Sequence, residues 1–139
     1  MIELIDIGVK RAKLLNPDFK FEDWHFDVVK CMDSIPYIED YTQCDNVDLN
    51  NFDVTQICGT GHYCYYGLTW LEMLGSLQRF SRVRNYSNFS SYINRKDDIY
   101  LAKIDNSYYI TSGNHRFCVA KFLKMPIMEV FVTKFVRIQ

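Results

Sequence analysis

The residues best placed to do chemistry lie at Ser112-Gly113-Asn114-His115-Arg116. They follow an apolar run (Tyr108, Tyr109, Ile110) and precede Phe117–Lys124, whose pattern predicts a short helix. A glycine turn opening onto a helix leaves the first-turn N–H groups without intrahelical partners and aims the positive dipole end outward. A histidine and an arginine at that point make an anion site, with phosphate the natural ligand. In this reading Arg116 clamps phosphate oxygens bidentately, while His115 donates a hydrogen bond or shuttles a proton. Gly113 supplies a conformation or close approach that a Cβ would block, and Asn114 caps the helix or touches ligand. Ser112 completes the binding turn. The plainer alternative is an ordinary helix start whose charges pair with Asp97 or Asp98.

Other groups carry weaker chemical signals. Cys58, His62 and Cys64 sit in a glycine- and tyrosine-rich stretch that predicts a constrained loop bordering a pocket. Their spacing fits no common zinc pattern, so no metal is assigned to them; His62 is a second acid/base candidate or an ordinary histidine. Arg79, Arg82 and Arg84 suit a nucleic-acid backbone or a solvated helix end. The five cysteines show no framework spacing and read mostly as small buried hydrophobes.

The elements that would hold these residues are set by pattern. Ile2, Ile5, Val9 and Ala12 predict a helix ending before Asn16-Pro17, with Gly8 against it; Phe21, Trp24, Val28 and Met32 predict another over 21–32. Residues 37–56, rich in Asp and Asn, read as a long surface loop or a partner-binding element. Thr69 and Glu72 form a capping box for a helix running to about Val83 that buries Leu71, Leu74 and Leu77 or Gln78. A short helix capped by Ser87 comes next. Strands at 99–104 and 108–111 form a hairpin about Asp105-Asn106-Ser107. In the helix 117–124 only Lys121 and Lys124 read as surface positions, and Ile127–Val132 reads as a central strand covered on both faces. The fold class is therefore α/β (α+β), a small mixed sheet with a mainly helical N-terminal half, one domain over 1–139.

Composition narrows the classes. A 48% hydrophobic and 16% aromatic content argues against a disordered chain. Mean hydropathy is −0.18, no apolar run approaches a bilayer span, and acidic Glu3 and Asp6 argue against a signal peptide. A cytoplasmic protein without membrane contact is expected. Net charge is −1 but unevenly placed: residues 1–68 carry −7 and residues 69–139 carry +6. A basic half bearing the phosphate site suits an anionic ligand, and an acidic half suits a protein partner, unless the halves simply pack together.

Gly113-Asn114-His115-Arg116, with a strand before, an alanine-bearing helix after and a second strand beyond Pro126, resembles the GxHR signature of the ParB/sulfiredoxin superfamily over residues 97–136. The resemblance implies a strand–turn–helix–strand core binding nucleotide phosphates, with ATP or CTP as nucleotide and Mg²⁺ as companion ion. Asn114 stands where sulfiredoxins carry their cysteine, and Cys118, a turn further on, is a poor substitute. No helix-turn-helix comes after the motif, nor is its double-arginine form present, so partition-type DNA reading is not expected. A phosphoryl-transfer or nuclease-type enzyme using His115 and Arg116 is the leading expectation. A protein-binding module of a mobile-element or toxin-immunity system and a nonspecific DNA-binding protein are the alternatives.

Overall fold

Four helices and six strands succeed one another along residues 3–138, the residues that the computed structural model describes. They are α1 (Leu4–Leu15), β1 (Lys30–Cys31), β2 (Tyr41–Phe52), β3 (Ile57–Thr60), α2 (Trp70–Ser76), α3 (Phe89–Ile93), β4 (Tyr100–Ile104), β5 (Ser107–Ser112), α4 (Asn114–Leu123) and β6 (Ile127–Arg137), joined in part by short 3₁₀ turns. The strands form one mixed sheet in the order β1-β3-β5-β4-β6-β2. Its two sequence halves interleave, because β1, β2 and β3 come from the acidic half and flank β5, β4 and β6.

The expected mixed α+β architecture is present, with a β4–β5 hairpin turning at Asp105 and Asn106, both at positive φ. Such residues at both central positions match the right-handed twist of the flanking strands. One face of the sheet is the main core, where Leu101, Ile110, Val130 and Val132 meet Phe117, Val119 and Ala120 of α4 and Leu71 and Leu74 of α2. The opposite face has a smaller cluster, in which Met32, Ile35 and Ile38 pack over Ala102, Ile104 and Tyr109.

α1 forms as its spacing predicts, with Ile2 lying outside the described residues. Gly8, which counts against a helix by propensity, is what α1 needs for packing. A Cβ there would overlap the Leu71 carbonyl, and one at Gly75 of α2 would overlap that of Leu4. The two helices cross backbone to backbone. Arg11 then turns off α1 to donate to the Leu74, Gly75 and Leu77 carbonyls at 2.8, 3.0 and 2.9 Å, and stacks 4.8 Å from the Phe80 ring.

The Thr69/Glu72 capping box forms in both directions. Leu71 and Leu74 are buried as expected, and of Leu77 and Gln78 it is Leu77 that is buried, but α2 ends at Ser76 and not at Val83. Arg11 satisfies its last carbonyls, and the chain continues as a 3₁₀ turn over Phe80–Asn85. The short helix α3 is capped by Asn88, whose Oδ1 accepts from the Ser91 N–H at 2.8 Å, and not by Ser87.

Two expectations fail outright, and of the one for 37–56 the loop alternative fails. The helix over 21–32 shrinks to one 3₁₀ turn at Asp23–Phe26, closed by Glu22 and His25; the chain then extends into β1 beside β3. Residues 41–52 are no loop: they form the long edge strand β2, paired antiparallel along β6. Only Phe52 of that strand is fully buried, and the alternation of Val47 and Leu49, half-buried against the core, is too brief to mark a strand in the sequence. Lys121 is not a surface residue: it is 6% exposed, between the Trp24 and Trp70 rings at 4.8 Å each, donating to the Ile57 carbonyl at 2.9 Å. β6 is interior to the sheet, yet Met128 is 62% exposed, so its coverage there is one-sided. Among the cysteines only Cys118 is fully buried; Cys44 and Cys64 are exposed.

The helix crossing yields a direct test. Gly8→Ala should cost about 3 kcal/mol in urea unfolding, because the added methyl must displace backbone. Gly67→Ala, where φ is +81° but nothing lies within 4 Å, should cost only about 1 kcal/mol.

Candidate functional site

β3 and β5 run parallel and end side by side, and the chain just beyond each of them builds one wall of a cavity of about 780 Å³. Sites of mixed and parallel sheets commonly lie beyond the carboxyl ends of their strands. After β5 comes Gly113, at φ +98° and packed so closely on Ile99 that a Cβ would sit 2.5 Å from its Cγ2. α4 starts directly afterwards at Asn114, three residues before the expected Phe117. His115 and Arg116 therefore belong to its first turn. After β3 comes the turn His62–Tyr65, which lines the cavity as the glycine-rich stretch suggests.

A threonine joins the two walls. The buried Thr60 hydroxyl donates to Asn114 Oδ1 at 2.7 Å and accepts from the His62 N–H at 3.1 Å. Asn114 thus locks α4 to β3. The N-cap position belongs to Gly113, which offers no side-chain bond, so the first-turn N–H groups keep no side-chain cap.

Arg116 does something other than clamp a ligand. It is 2% exposed, and its Nη1 donates to the Ile93 and Arg95 carbonyls at 3.2 and 2.9 Å. Its Nη2 donates to the Asp97 carbonyl. These bonds pin the segment between α3 and β4 to the start of α4. The Asp97 carboxylate faces Arg95 instead, 3.3 Å from its Nε.

The cations that face the cavity are Arg79, Arg82 and Arg95, with Ser112 and His115 beside them. Arg79 and Arg82 come from the basic run read in the sequence, while Arg84 lines a separate apolar recess beside Leu14 and Phe80. Sequence reasoning misses Arg95; it sits in a short polar link with no periodicity, and tertiary contacts bring it to the site, the Arg116 bond to its carbonyl and the Tyr92 ring under its guanidinium.

His115 Nε2 accepts the Arg79 backbone N–H at 3.2 Å, which leaves Nδ1 as its donor. Burial, and then the charges of Arg79, Arg95, Arg82 and Arg11, hold its pKa below the ordinary 6.5. His62 also uses a nitrogen internally, its Nδ1 accepting from the Cys64 N–H at 3.3 Å. Both rings can donate toward a ligand. The arrangement can receive an anion: three guanidinium groups, a free helix start and two imidazole donors border one space.

No family model, curated protein or solved structure matches this chain.

Cys118 lies fully buried within α4, and burial pushes its thiol well up, which makes it unreactive as a nucleophile. Among the described residues no three His, Cys, Asp or Glu side chains gather as metal ligands. Asp97 and Asp98 do border the cavity, so a Mg²⁺ carried on nucleotide phosphates would find carboxylates there without a protein cage.

The geometry sets up two measurements. Arg116→Ala removes the donor for three loop carbonyls and should cost roughly 3 kcal/mol in urea unfolding. The second concerns pH. His115, and His25 buried between Phe19 and Phe122, both have lowered pKa values, burial being the first cause for each. The folded chain binds these protons more weakly than the unfolded chain, so stability falls as pH drops below 6.5. Melts between about pH 7.5 and about pH 5.5 should show this slope, reduced in His115→Gln.

Proposed function

We propose that the cavity binds the phosphate of a nucleotide or nucleic acid, and that the chain acts on it as a ParB/sulfiredoxin-like phosphotransferase or nuclease. The observation that carries the reading is convergence: Arg79, Arg82 and Arg95 face the same space as the uncapped start of α4. Cationic forks and oriented N–H groups are what phosphoryl oxygens need in both ground and transition states. In this reading Ser112, Gly113 and Asn114 shape the turn, His115 donates from Nδ1 to a phosphoryl oxygen, and Arg116 positions the wall. ATP or CTP with Mg²⁺ is the ligand set that the motif resemblance implies.

A second reading, phosphate binding without catalysis, has its own support. Both cavity histidines spend a nitrogen on a backbone N–H, so neither offers a free lone pair as general base. The chain would then be a switch or binding module, with the acidic β2 edge as the surface for a protein partner.

A thermal-shift panel with ATP, CTP and short DNA and RNA, with and without Mg²⁺, tests the site. A ligand at about 100 times its dissociation constant should add roughly 2.7 kcal/mol to the wild type. The exposed pair Arg79→Ala/Arg82→Ala should melt like the wild type without ligand and lose the ligand shift. No shift with any ligand would sink the phosphate reading. Turnover of the stabilising ligand, abolished in His115→Ala, would select catalysis over simple binding.

A further inference from the structure

A second cavity, of about 320 Å³, adjoins the first. Arg95, Asp97, Asp98 and Arg116 line both, so the segment that Arg116 pins down is their common wall. The chemistry changes across it. The first cavity adds Arg79 and Arg82 to that wall, an excess of arginines over Asp97 and Asp98, whereas in the second Asp97, Asp98 and Glu129 offset Arg95, Lys96 and Arg116. A second phosphate would gain little there.

Apart from Asn94, the rest of the second cavity is apolar, with Ile93 from α3 and Ile127, Met128 and Phe131 from β6. Met128 is 62% exposed, and Phe131 lies 5.5 Å from the ring of Tyr100, itself 42% exposed and paired with it across β4 and β6. Large apolar and aromatic surfaces left open beside a polar cleft are suited to covering by a ligand. A flat ring with polar edges fits both features. Its face stacks on Phe131 of the lining, with Tyr100 next to that ring, and its ring N–H or amino groups donate to carboxylates, which only accept.

We infer that the second cavity is a base subsite, taking the nucleobase of the same nucleotide unit whose phosphate occupies the first. The inference rests on the phosphate reading above and adds to it the part of the ligand that a phosphate site alone leaves open. The unit has two sources, a free nucleotide or the phosphorylated end of a strand.

Calorimetric titration can separate the parts. Ribose 5-phosphate carries the phosphate without a base; AMP, CMP, GMP and UMP carry both, and a 5′-phosphorylated oligonucleotide presents the unit on a strand. The wild type should bind at least one mononucleotide, or the oligonucleotide, about 10-fold more tightly than ribose 5-phosphate. Tyr100→Ala and Met128→Ala, both at exposed positions, should each erase most of that advantage and leave ribose 5-phosphate affinity unchanged. Tighter binding of the mononucleotide or of the oligonucleotide names the source. Equal affinity for ribose 5-phosphate and every base-bearing ligand overturns the base subsite and leaves the phosphate site standing. Equal weakening of all ligands by both variants also overturns it, and absence of all binding overturns both readings.

Discussion

Carbonyl groups left over where helices and strands stop must find donors once they are buried, and in this chain three cationic side chains supply them. Arg11 closes the end of α2, Lys121 reaches the carbonyl of Ile57 at the start of β3, and Arg116 holds the link between α3 and β4. Each carries its charge inward to main-chain dipoles instead of to a carboxylate. Lys121 and Arg116 are buried and Arg11 partly so; such cations are costly to strip of their partners, and the loops they hold are costly to release. The packing of α1 on α2 and of α4 on the sheet proceeds around these three ties.

Arg116 shows how structure and site are connected. By residue type it is a phosphate clamp; by position in the first turn of a buried helix it is a loop anchor. Its service as an anchor carries Arg95, Asp97 and Asp98 to the mouth of the cavity, where they join Arg79 and Arg82 from the turn after α2. The electropositive character of the cavity therefore comes from the 3₁₀ turn and the link, not from the motif arginine. Burial, and then the same field, lower the pKa of His115, and its bond to the Arg79 N–H leaves its other nitrogen as a donor.

The elements legible in the sequence are those whose signals are local. The Thr69/Glu72 capping box, the Asp105-Asn106 turn and the apolar stripe of α1 each depend on residues within one or two turns of chain. The site turn at Gly113 belongs here too, because a positive φ packed on Ile99 admits almost nothing else. β2 and β1 are not legible. β2 is held by its ladder to β6 while its side chains stay mostly in the open, and β1 is two residues long, held beside β3. β1 leaves no mark on its own sequence, and β2 leaves only the brief alternation of Val47 and Leu49.

Composition and local pattern by themselves determined that this chain folds as a mixed α+β protein, that a glycine turn opens onto a buried helix, and that basic charge gathers in the second half. Tertiary structure alone decided which basic residues face the cavity. A long cation's destination depends on which carbonyls lie within its reach, and those carbonyls come from segments about 20 to 65 residues away in sequence. Lys121 and Arg116 turned inward because α4 is buried along most of its length, while Arg79 and Arg82 stayed outside because α2 stopped early against Arg11.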